Sequence, residues 1–438
     1  MTPAARYAAA IEVIDQVNAV QGPADEVLKA WGRNHRFAGS KDRKALAEIV
    51  YSTLRARARA SWALGADDGR ALVLGALRWG DGLELDEISA LFSGEGHAAA
   101  ALTDSERMLL GRSAANAPDW VEAGVPEWLA KQFQSQFGGS WREEATAAIL
   151  PRAPVDLRVN TLRGDVEGAL RLLAHEDVKP NRTPFSTLGL RLPPAYARDV
   201  QKLRAFTSGW VEVQDEGSQI VAALAGAQPG DVVVDYCAGG GGKTLALGAA
   251  LNGIGRLIAS DVNPKRLAAM AERLNRAGLT AESRTLGSNG EGMDDLVGEA
   301  DLVLVDAPCS GSGTWRRHPE SAWRLTPETV QRLSALQSAI LRRAARLVKP
   351  GGRLVYVTCS MLDAENGEVA ARFASDHLDF RPLTIEDAAT TSGLTVEGRA
   401  RLSMLASAGH TLQLTPHRTG TDGFFVALFE KLPQEDPA

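Results

Sequence analysis

The spacing of apolar residues changes part-way along the chain. Apolar positions recur with helical spacing through 3–20, 41–60 and 67–79, and strand-like alternation of comparable length is missing there. Gly138-Gly139 is a turn signal that marks the end of this part of the chain. The pattern therefore predicts an all-helical domain over residues 1–145.

From about residue 211 onwards, short apolar runs alternate with helical stretches. The predicted strands are 231–235, 256–261, 301–306, 353–358 and 423–431, and the predicted helices are 243–251, 265–277 and 327–348. Apolar strands separated by helices are typical of a parallel sheet that is covered on both faces. We therefore predict an α/β fold with a doubly wound, mostly parallel sheet over residues 211–433. Residues 384–415 have no clear pattern.

A smaller α/β subdomain is predicted between these two parts, over residues 146–210. Residues 155–160 have the composition of a strand, and residues 165–175 have that of a helix. The chain of 438 residues is long enough for two or three such domains.

Composition narrows the environment in which the chain works. Hydrophobic residues make up 45% and charged residues 23%, which indicates folded domains rather than bulk disorder. Three cysteines are too few for a disulfide framework and favour a reducing cytoplasm. We find no signal peptide and no apolar run of ~20 residues that could span a membrane. Seven histidines and three cysteines give no metal-ligand spacing. We expect a cytoplasmic monomer without a metal or a membrane partner.

Charge is unevenly distributed. The whole chain has a net charge of −6, but residues 1–60 contain ten Lys/Arg against six acidic residues, a difference of 10 − 6 = +4. Such a region could hold RNA phosphates, with Arg55, Arg57 and Arg59 as candidate contacts. On charge alone, a solvated helical face is the favoured interpretation.

A glycine-rich turn connects the first predicted strand of the large sheet to its helix. Gly239–Gly242 would let a ligand approach the backbone closely at a helix N-terminus. The turn is neither a P-loop nor a dinucleotide fingerprint, because Cys237 and Thr244 stand where those motifs need glycine. Asp261 closes the next strand, where a carboxylate could accept hydrogen bonds from ribose hydroxyls. Together these features favour a nucleoside cofactor without a demanding phosphate site, such as S-adenosylmethionine.

All three cysteines fall at or near the ends of predicted strands. Cys237 lies in the glycine turn, Cys309 lies in Asp306-Ala-Pro-Cys309, and Cys359 lies in Thr358-Cys-Ser360. A single cysteine in such a place is more often structural than catalytic. Since the carboxyl ends of parallel strands form the ligand-binding edge, the pair Cys309 and Cys359 beside a nucleoside pocket favours thiolate catalysis.

These motifs resemble those of the Sun/Fmu-type RNA (cytosine-5) methyltransferases. The similar segments are Asp235–Thr244, Asp306–Gly311, Thr358–Ser360, Asp422–Phe425 and Leu157–Leu162, so the resemblance covers roughly residues 150–432. Ser40–Lys44 and Glu48–Arg55 also resemble the NusB-like helical RNA-binding domain of bacterial ribosomal members.

The resemblance implies a role for each motif residue. Cys359 would be the nucleophile, Cys309 would help to release the product, and Asp306 would contact the target cytosine. Lys243, at the end of the turn, is expected to orient Asp306 or the base. The cofactor would be S-adenosylmethionine, bound by Cys237, Ala238, Gly239, Gly240, Gly241, Gly242, Lys243, Asp261, Asn289 and Asp306.

The chain departs from the family pattern at two places. Gly239 and Gly240 replace an alanine and a proline, which predicts a looser turn because a fixed φ is lost. An aspartate is usual near the adenine, and Ser288 or Asn289 stands at about that position here.

The favoured function is methylation of carbon 5 of a cytosine in ribosomal RNA, with small-subunit (16S) RNA as the expected substrate. A transfer-RNA methyltransferase with the same chemistry is the second interpretation. A non-catalytic RNA-binding assembly factor is the third, and the intact Cys309/Cys359 pair argues against it. The sequence does not identify the modified nucleotide.

Overall fold

A computed structural model describes residues 1–20, 22–112, 116–194, 196, 199–390, 393–407 and 409–433. The chain forms two compact units. The first contains Met1–Arg152 together with Thr314–Leu325, and the second contains Ala153–Gly313 together with Thr326–Ala438.

The first unit is helical, as the spacing of apolar residues predicts. Its helices are Pro3–Ala19, Ala24–Asn34, Ser40–Leu64, Gly69–Gly75, Leu85–Leu91, Asp104–Leu110, Asp119–Glu122, Glu127–Phe137, Trp141–Ile149 and Ser321–Arg324, with a π-helical turn at Ala76–Gly80. Thr2 caps the first helix by accepting a hydrogen bond from the Ala5 amide, and proline follows at the first helical position. The apolar stripes of the helices from Pro3–Ala19 to Asp104–Leu110 meet in one core that contains Ile14, Leu54 and Leu72.

A short segment of distant sequence completes this helical unit. Thr314–Leu325 follows directly on the loop that contains Cys309, yet it packs with the N-terminal helices. Trp315 is fully buried and stacks on Phe133 with the ring centroids 6.2 Å apart. Arg324 donates hydrogen bonds of 2.6 Å to the carbonyls of Val17 and Gly22. Sequence patterns did not predict that this segment belongs to the helical unit. The division into three domains at residues 145 and 210 stays a prediction.

The second unit contains a small antiparallel sheet. Its strands lie in the order Asn181–Arg182, Gly189–Arg191, Asp156–Val159 and Val211–Val213. The helices Val166–Ala174 and Arg204–Thr207 pack with it around buried residues such as Leu157, Leu173 and Leu190.

The large sheet of this unit is mostly parallel, as predicted. Its strands lie in the order Ala406–Ser407, Thr411–Leu414, Phe424–Lys431, Val348–Thr358, Ala300–Asp306, Val232–Asp235, Arg256–Asp261 and Glu282–Thr285, and Phe380–Pro382 pairs with Phe424–Lys431. The last five strands of that order run parallel to one another. Phe424–Lys431 and the strands beyond it are each antiparallel to the neighbouring strand. The chain order reverses between Val232–Asp235 and Ala300–Asp306, which creates a topological switch point at their carboxyl ends.

Alternate residues of the central strands face opposite sides of this sheet. Val233, Leu304 and Val355 face one core, and their neighbours Val234 and Val305 face the other. Both faces are covered by helices, so the strands are apolar throughout. The covering helices are Glu216–Ala225, Gly242–Leu251, Pro264–Ala277, Pro327–Ala345, Gly367–Asp376, Ile385–Thr390 and Val396–Leu405.

The last two of these helices and the strand Thr411–Leu414 lie within residues 384–415, the stretch whose pattern was unclear from the sequence. Two further short helices of the second unit are Pro416–Thr419 and the 3₁₀ turn Asp363–Glu365. Within the described residues, no helix combines the length and the apolar character needed to cross a membrane.

Candidate active site

A cavity of about 800 Å³ opens at the carboxyl ends of the parallel strands, next to the topological switch point. It brings together most of the residues that the sequence singled out. Its lining includes Cys237, Ala238, Gly239, Gly240, Gly242, Lys243, Asp261, Ser288, Asp306, Cys309 and Cys359.

The glycine turn has a backbone that needs glycine at two positions. Gly239 and Gly241 have φ values of 55° and 82°, in the left-handed region. A Cβ atom on Gly241 would also lie 2.3 Å from Cγ of Met270, so this glycine packs against the helix Pro264–Ala277. The helix Gly242–Leu251 begins directly after it.

Neighbouring side chains hold the carbonyl groups of this turn. Arg273 donates a hydrogen bond to the Gly240 carbonyl, and Gln214 donates one of 3.2 Å to the Gly242 carbonyl. Glu212 contacts Arg273 at 3.3 Å and so orients its guanidinium. The lost proline at position 240 predicts a looser turn, but these contacts restrain it from outside.

Asp261 ends the strand Arg256–Asp261 and is 5% exposed. Its Oδ2 accepts a hydrogen bond of 2.9 Å from the Gly239 amide, and its Oδ1 accepts one of 2.8 Å from the Asn263 amide. Each carboxylate oxygen can accept a second hydrogen bond. The carboxylate therefore both fixes the turn and retains acceptor capacity towards the cavity.

The two candidates for the adenine side of the pocket occupy different places. Ser288 lines the cavity together with Leu286 and Gly287. The Asn289 side chain instead donates a hydrogen bond of 3.2 Å to Glu291 on the exposed surface. Of the two, the structure places Ser288 where a ligand in the cavity would meet it.

Lys243 and Asp306 form an ion pair inside the cavity. Nζ of Lys243 lies 2.7 Å from Oδ2 of Asp306, and the side chains are 7% and 32% exposed. The Lys243 ammonium also lies 4.8 Å from the centre of the Phe424 ring. Burial lowers the pKa of Lys243, but the charge and hydrogen bond of Asp306 outweigh it and raise that pKa overall.

Cys309 and Cys359 face each other across two adjacent parallel strands. Ala300–Asp306 and Val348–Thr358 pair so that Asp306 lies opposite Val357, which brings the residues beyond both strand ends together. The two sulfur atoms are 3.4 Å apart. The hydrogen bond to the Cys359 sulfur, followed by burial, raises the pKa of Cys309 well above its usual value.

The third cysteine, Cys237, lies in the glycine turn. Burial, followed by the charge of Asp235, raises the pKa of Cys237 far above its usual value. A thiol in that state is a poor nucleophile.

Sequence reasoning missed a buried acid behind the two cysteine loops. Glu365 is 0% exposed and accepts hydrogen bonds from the Ser310 amide, from Gln337 and from the Ser360 hydroxyl. An acidic residue in Leu362-Asp-Ala-Glu-Asn366 has the composition of an exposed turn, so no pattern in the sequence marks it.

The parallel sheet, its switch point, the glycine turn and the aspartate of the next strand together define the class I methyltransferase fold. A methyltransferase homologue protein from Pyrococcus horikoshii has this fold, with a TM-score of 0.58 and 27% identity over 72% of this chain and 98% of that one. The crystal structure of PH0851 also shares the fold, with a TM-score of 0.73 and 24% identity over 98% of this chain and 99% of that one.

The chain belongs to the 16S rRNA methyltransferase RsmB/F family, whose profile matches residues 222–430. The ferredoxin-like domain of RsmF/B-like methyltransferases matches residues 125–199. The predicted Sun/Fmu-type resemblance is thereby confirmed, while the NusB-like assignment of the helical unit stays a prediction.

Curated relatives agree over most of the chain. A probable ribosomal RNA small subunit methyltransferase B from Synechocystis is 33% identical over 75% of this chain and 70% of its own length. The probable enzyme of that name from Bacillus subtilis is 32% identical over 71% and 67%. The ribosomal RNA small subunit methyltransferase B from Pseudomonas putida is 34% identical over 71% and 67%.

Proposed function

We propose that the protein methylates carbon 5 of a cytosine in small-subunit ribosomal RNA through a covalent cysteine adduct. The observation that carries this proposal is the pair of sulfur atoms of Cys309 and Cys359, 3.4 Å apart in the cavity that also contains the Lys243–Asp306 ion pair. Ribosomal RNA is the proposed substrate class because the relatives are named for methylating it. Such a protein works in the cytoplasm.

The cavity fits S-adenosylmethionine as the methyl donor. Its volume of about 800 Å³ is in the range of small-molecule sites. The buried Asp261 carboxylate can accept hydrogen bonds from ribose hydroxyls, and the turn around Gly239 brings the backbone to the ligand. Ser288 offers a hydroxyl on the adenine side. When bound, the cofactor would supply a methyl group activated by its sulfonium.

Cys359 begins the reaction in this proposal. Carbon 5 of cytosine is a weak nucleophile, and addition of the Cys359 thiolate to carbon 6 turns the ring into an enamine whose carbon 5 can take the methyl group. Lys243 lines the same cavity as Cys359, and a positive charge near a cysteine favours its thiolate.

Asp306 and Cys309 have different roles in the reaction from that of Cys359. Asp306, positioned by Lys243, hydrogen-bonds the pyrimidine edge and stabilises charge that develops on the ring. Cys309 assists the elimination, in which carbon 5 gives its proton to a base and the bond from sulfur to carbon 6 breaks. That step returns the Cys359 thiolate and leaves aromatic 5-methylcytosine.

The target cytosine has to leave its stack, because both ring faces must be reached.

The helical unit supplies a surface suited to the surrounding RNA, at the turn between Ala24–Asn34 and Ser40–Leu64. Its exposed basic residues are Arg33, Arg36, Lys41, Arg43 and Lys44. The one acid among them, Asp42, is paired with the amino group of Met1 and with Arg6. The surface is therefore strongly positive.

Phe37 adds an aromatic group to this basic surface. Its side chain is 72% exposed, and its ring meets the His35 ring edge-on at 5.7 Å. His35 is in turn stacked on the buried Trp31 at 4.2 Å. Basic residues around an exposed aromatic ring are typical of surfaces that bind single-stranded RNA by stacking.

The arginines that the sequence singled out contact other residues of the helical unit instead. Arg55 donates a hydrogen bond of 3.3 Å to the Arg316 carbonyl, and Arg57 lies over the Trp323 ring at 5.2 Å. Arg59 is paired with Glu122. We therefore assign the RNA contacts of the helical unit to the turn at residues 33–44, and the proposal for Arg55, Arg57 and Arg59 is replaced.

The test is methyl transfer to purified small-subunit RNA, with bisulfite sequencing of RNA from a strain that lacks the protein. One cytosine in small-subunit RNA should lose its modification in that strain and regain it on complementation. Loss of a modification from transfer RNA alone would show that the substrate assignment is wrong. Methylation at a position other than carbon 5 would overturn the mechanism.

A further inference from the structure

Glu365 connects the two loops that carry the cysteines. It ends the 3₁₀ turn Asp363–Glu365, and its side chain is fully buried. Oε1 accepts hydrogen bonds of 2.8 Å from the Ser310 amide and 2.9 Å from Gln337, and Oε2 accepts one of 2.6 Å from the Ser360 hydroxyl. Each of these partners is a donor, which is the arrangement that an ionised carboxylate requires.

Ser310 directly follows Cys309, and Ser360 directly follows Cys359. One carboxylate therefore holds the residue after each cysteine. The serine hydroxyls extend the connection, since Ser360 Oγ lies 3.2 Å from Ser310 Oγ and 3.1 Å from Ser312 Oγ. Ser312 Oγ also accepts a hydrogen bond of 2.8 Å from the Met361 amide. The two loops are thus fastened to each other immediately behind the sulfur atoms.

The surroundings of the two sulfurs differ in charge. Cys309 lies next to the Glu365 carboxylate, whose Oε1 accepts a hydrogen bond of 2.8 Å from the amide of the following residue, Ser310. Cys359 interacts with the Lys243 ammonium, which is paired with Asp306 on its other side. A negative charge disfavours a thiolate and a positive charge favours one. Two thiolates 3.4 Å apart would also repel each other, so the pair should ionise one sulfur at a time.

We propose that Glu365 is a positioning residue that assigns different roles to the two cysteines, by fixing their loops together and by making Cys309 the sulfur that keeps its proton. Cys359 is then the thiolate that attacks, and the direction of the charge difference decides which of two adjacent thiols is the nucleophile. The catalytic roles given to the two thiols rest on the proposed function, but the difference between the thiols exists in the free protein. The raised pKa of Cys309, to which the charge of Glu365 contributes after the Cys359 hydrogen bond and burial, agrees with it.

The test measures alkylation of each cysteine by iodoacetamide between pH 6 and pH 9 in the protein without RNA or cofactor. Peptide mass spectrometry separates the rates at Cys309 and Cys359, both of which line the cavity. In the unmodified sequence, Cys359 should react faster than Cys309 throughout this range. Equal rates, or a faster Cys309, would overturn the proposal without any variant, even if every substitution at Glu365 prevented folding.

Glu365→Gln keeps the shape of the side chain and removes its charge. The Cys309 rate at a given pH should rise by roughly threefold to tenfold, because the negative charge that disfavours its thiolate is removed. Glu365→Asp, which keeps the charge, should restore slow reaction at Cys309. Glu368→Gln is the matched control, because Glu368 is exposed on the adjoining helix. An unchanged Cys309 rate in folded Glu365→Gln protein would refute the role of Glu365.

Methyl transfer to RNA is measured separately on the same proteins. If the unmodified protein transfers no methyl group but its two cysteines differ as described, the proposed function fails while the inference about Glu365 stands. If methyl transfer is normal and the thiols react alike, only the inference fails.

Discussion

The sulfur atoms of Cys309 and Cys359 lie 3.4 Å apart although 50 positions separate the residues in the chain. Each cysteine lies just beyond the carboxyl end of its strand, and the two strands are parallel neighbours. The proximity is therefore a consequence of the sheet topology. One pocket therefore contains two thiols, so that one can serve the addition to a cytosine ring and the other the elimination from it.

The two cysteines should fail differently when each is replaced. Cys359→Ala should abolish methylation and leave no protein attached to RNA, because no bond to carbon 6 can form. Cys309→Ala should still allow attack and methyl transfer but slow elimination, so that protein stays covalently bound to methylated RNA. A denaturing gel would show this adduct as a slowly migrating band.

Cys237→Ala is the control for this experiment, since Cys237 is the remaining thiol of the chain and lies in the glycine turn. It should produce no adduct. An adduct with Cys359→Ala but not with Cys309→Ala would reverse the two roles. Full activity in both variants would show that the thiols are structural.

Asp261 should contribute to cofactor affinity. Asp261→Ala removes an acceptor that fixes the Gly239 amide and faces the cavity, so S-adenosylmethionine binding should weaken by about 1–3 kcal/mol in calorimetry. Lys265→Ala is the control, because Lys265 is exposed at the start of the neighbouring helix. Affinity that is unchanged in Asp261→Ala would remove this residue from the cofactor site.

Asp235 should make the stability of the protein depend on pH. Burial is the main cause that raises its pKa from 3.8 to about 7, although Thr244 donates a hydrogen bond of 2.6 Å to it. The folded protein therefore keeps a proton that the unfolded chain loses between these two values. Its contribution is most favourable below pH 4, and stability falls as the pH rises to 7.

Asp235→Asn removes this ionisation while keeping an acceptor for Thr244. The free energy of unfolding, from chemical denaturation, should change less between pH 4 and pH 7 in this variant, by at most about 4 kcal/mol. Asp376→Asn on the exposed surface of the same unit is the control. Identical pH slopes in the unmodified protein and in Asp235→Asn would show that Asp235 ionises normally.

The sequence was sufficient for the features that depend on local periodicity. Strands such as Ala300–Asp306 are apolar because both faces of the sheet are covered, and this makes their carboxyl ends recognisable. The positions of Asp261, Cys309 and Cys359 at those ends then follow. The strand Glu282–Thr285 was missed because it is a polar edge strand with three exposed residues, which has no apolar pattern to detect.

Features that depend on distant contacts were beyond the sequence. Nothing in the composition of Thr314–Leu325 indicates that it joins the N-terminal helices. Glu365 is equally hidden, since its partners Ser310 and Gln337 lie 55 and 28 positions away. The basic residues near Arg55 had the right charge for RNA, but only the packing of the helical unit shows that their guanidinium groups contact other residues of that unit.

The basic turn at residues 33–44 should bind RNA through phosphates and through stacking. A triple variant, Arg36→Glu, Lys41→Glu and Lys44→Glu, should weaken RNA binding and reduce the slope of log affinity against log salt concentration by about 2, because each lost phosphate contact accounts for ~0.7 with single strands. Phe37→Ala should cost about 1–3 kcal/mol of affinity and leave the salt slope unchanged, because stacking releases no counterions.

Lys131→Glu is the control for these variants, since Lys131 is 73% exposed in the same helical unit. Reversing Arg55, Arg57 and Arg59 should instead unfold this unit, which circular dichroism at 222 nm would show. If the triple variant binds RNA with the affinity and the salt slope of the unmodified protein, residues 33–44 are a solvated face. The stacking role of Phe37 is decided separately, by the RNA affinity of Phe37→Ala.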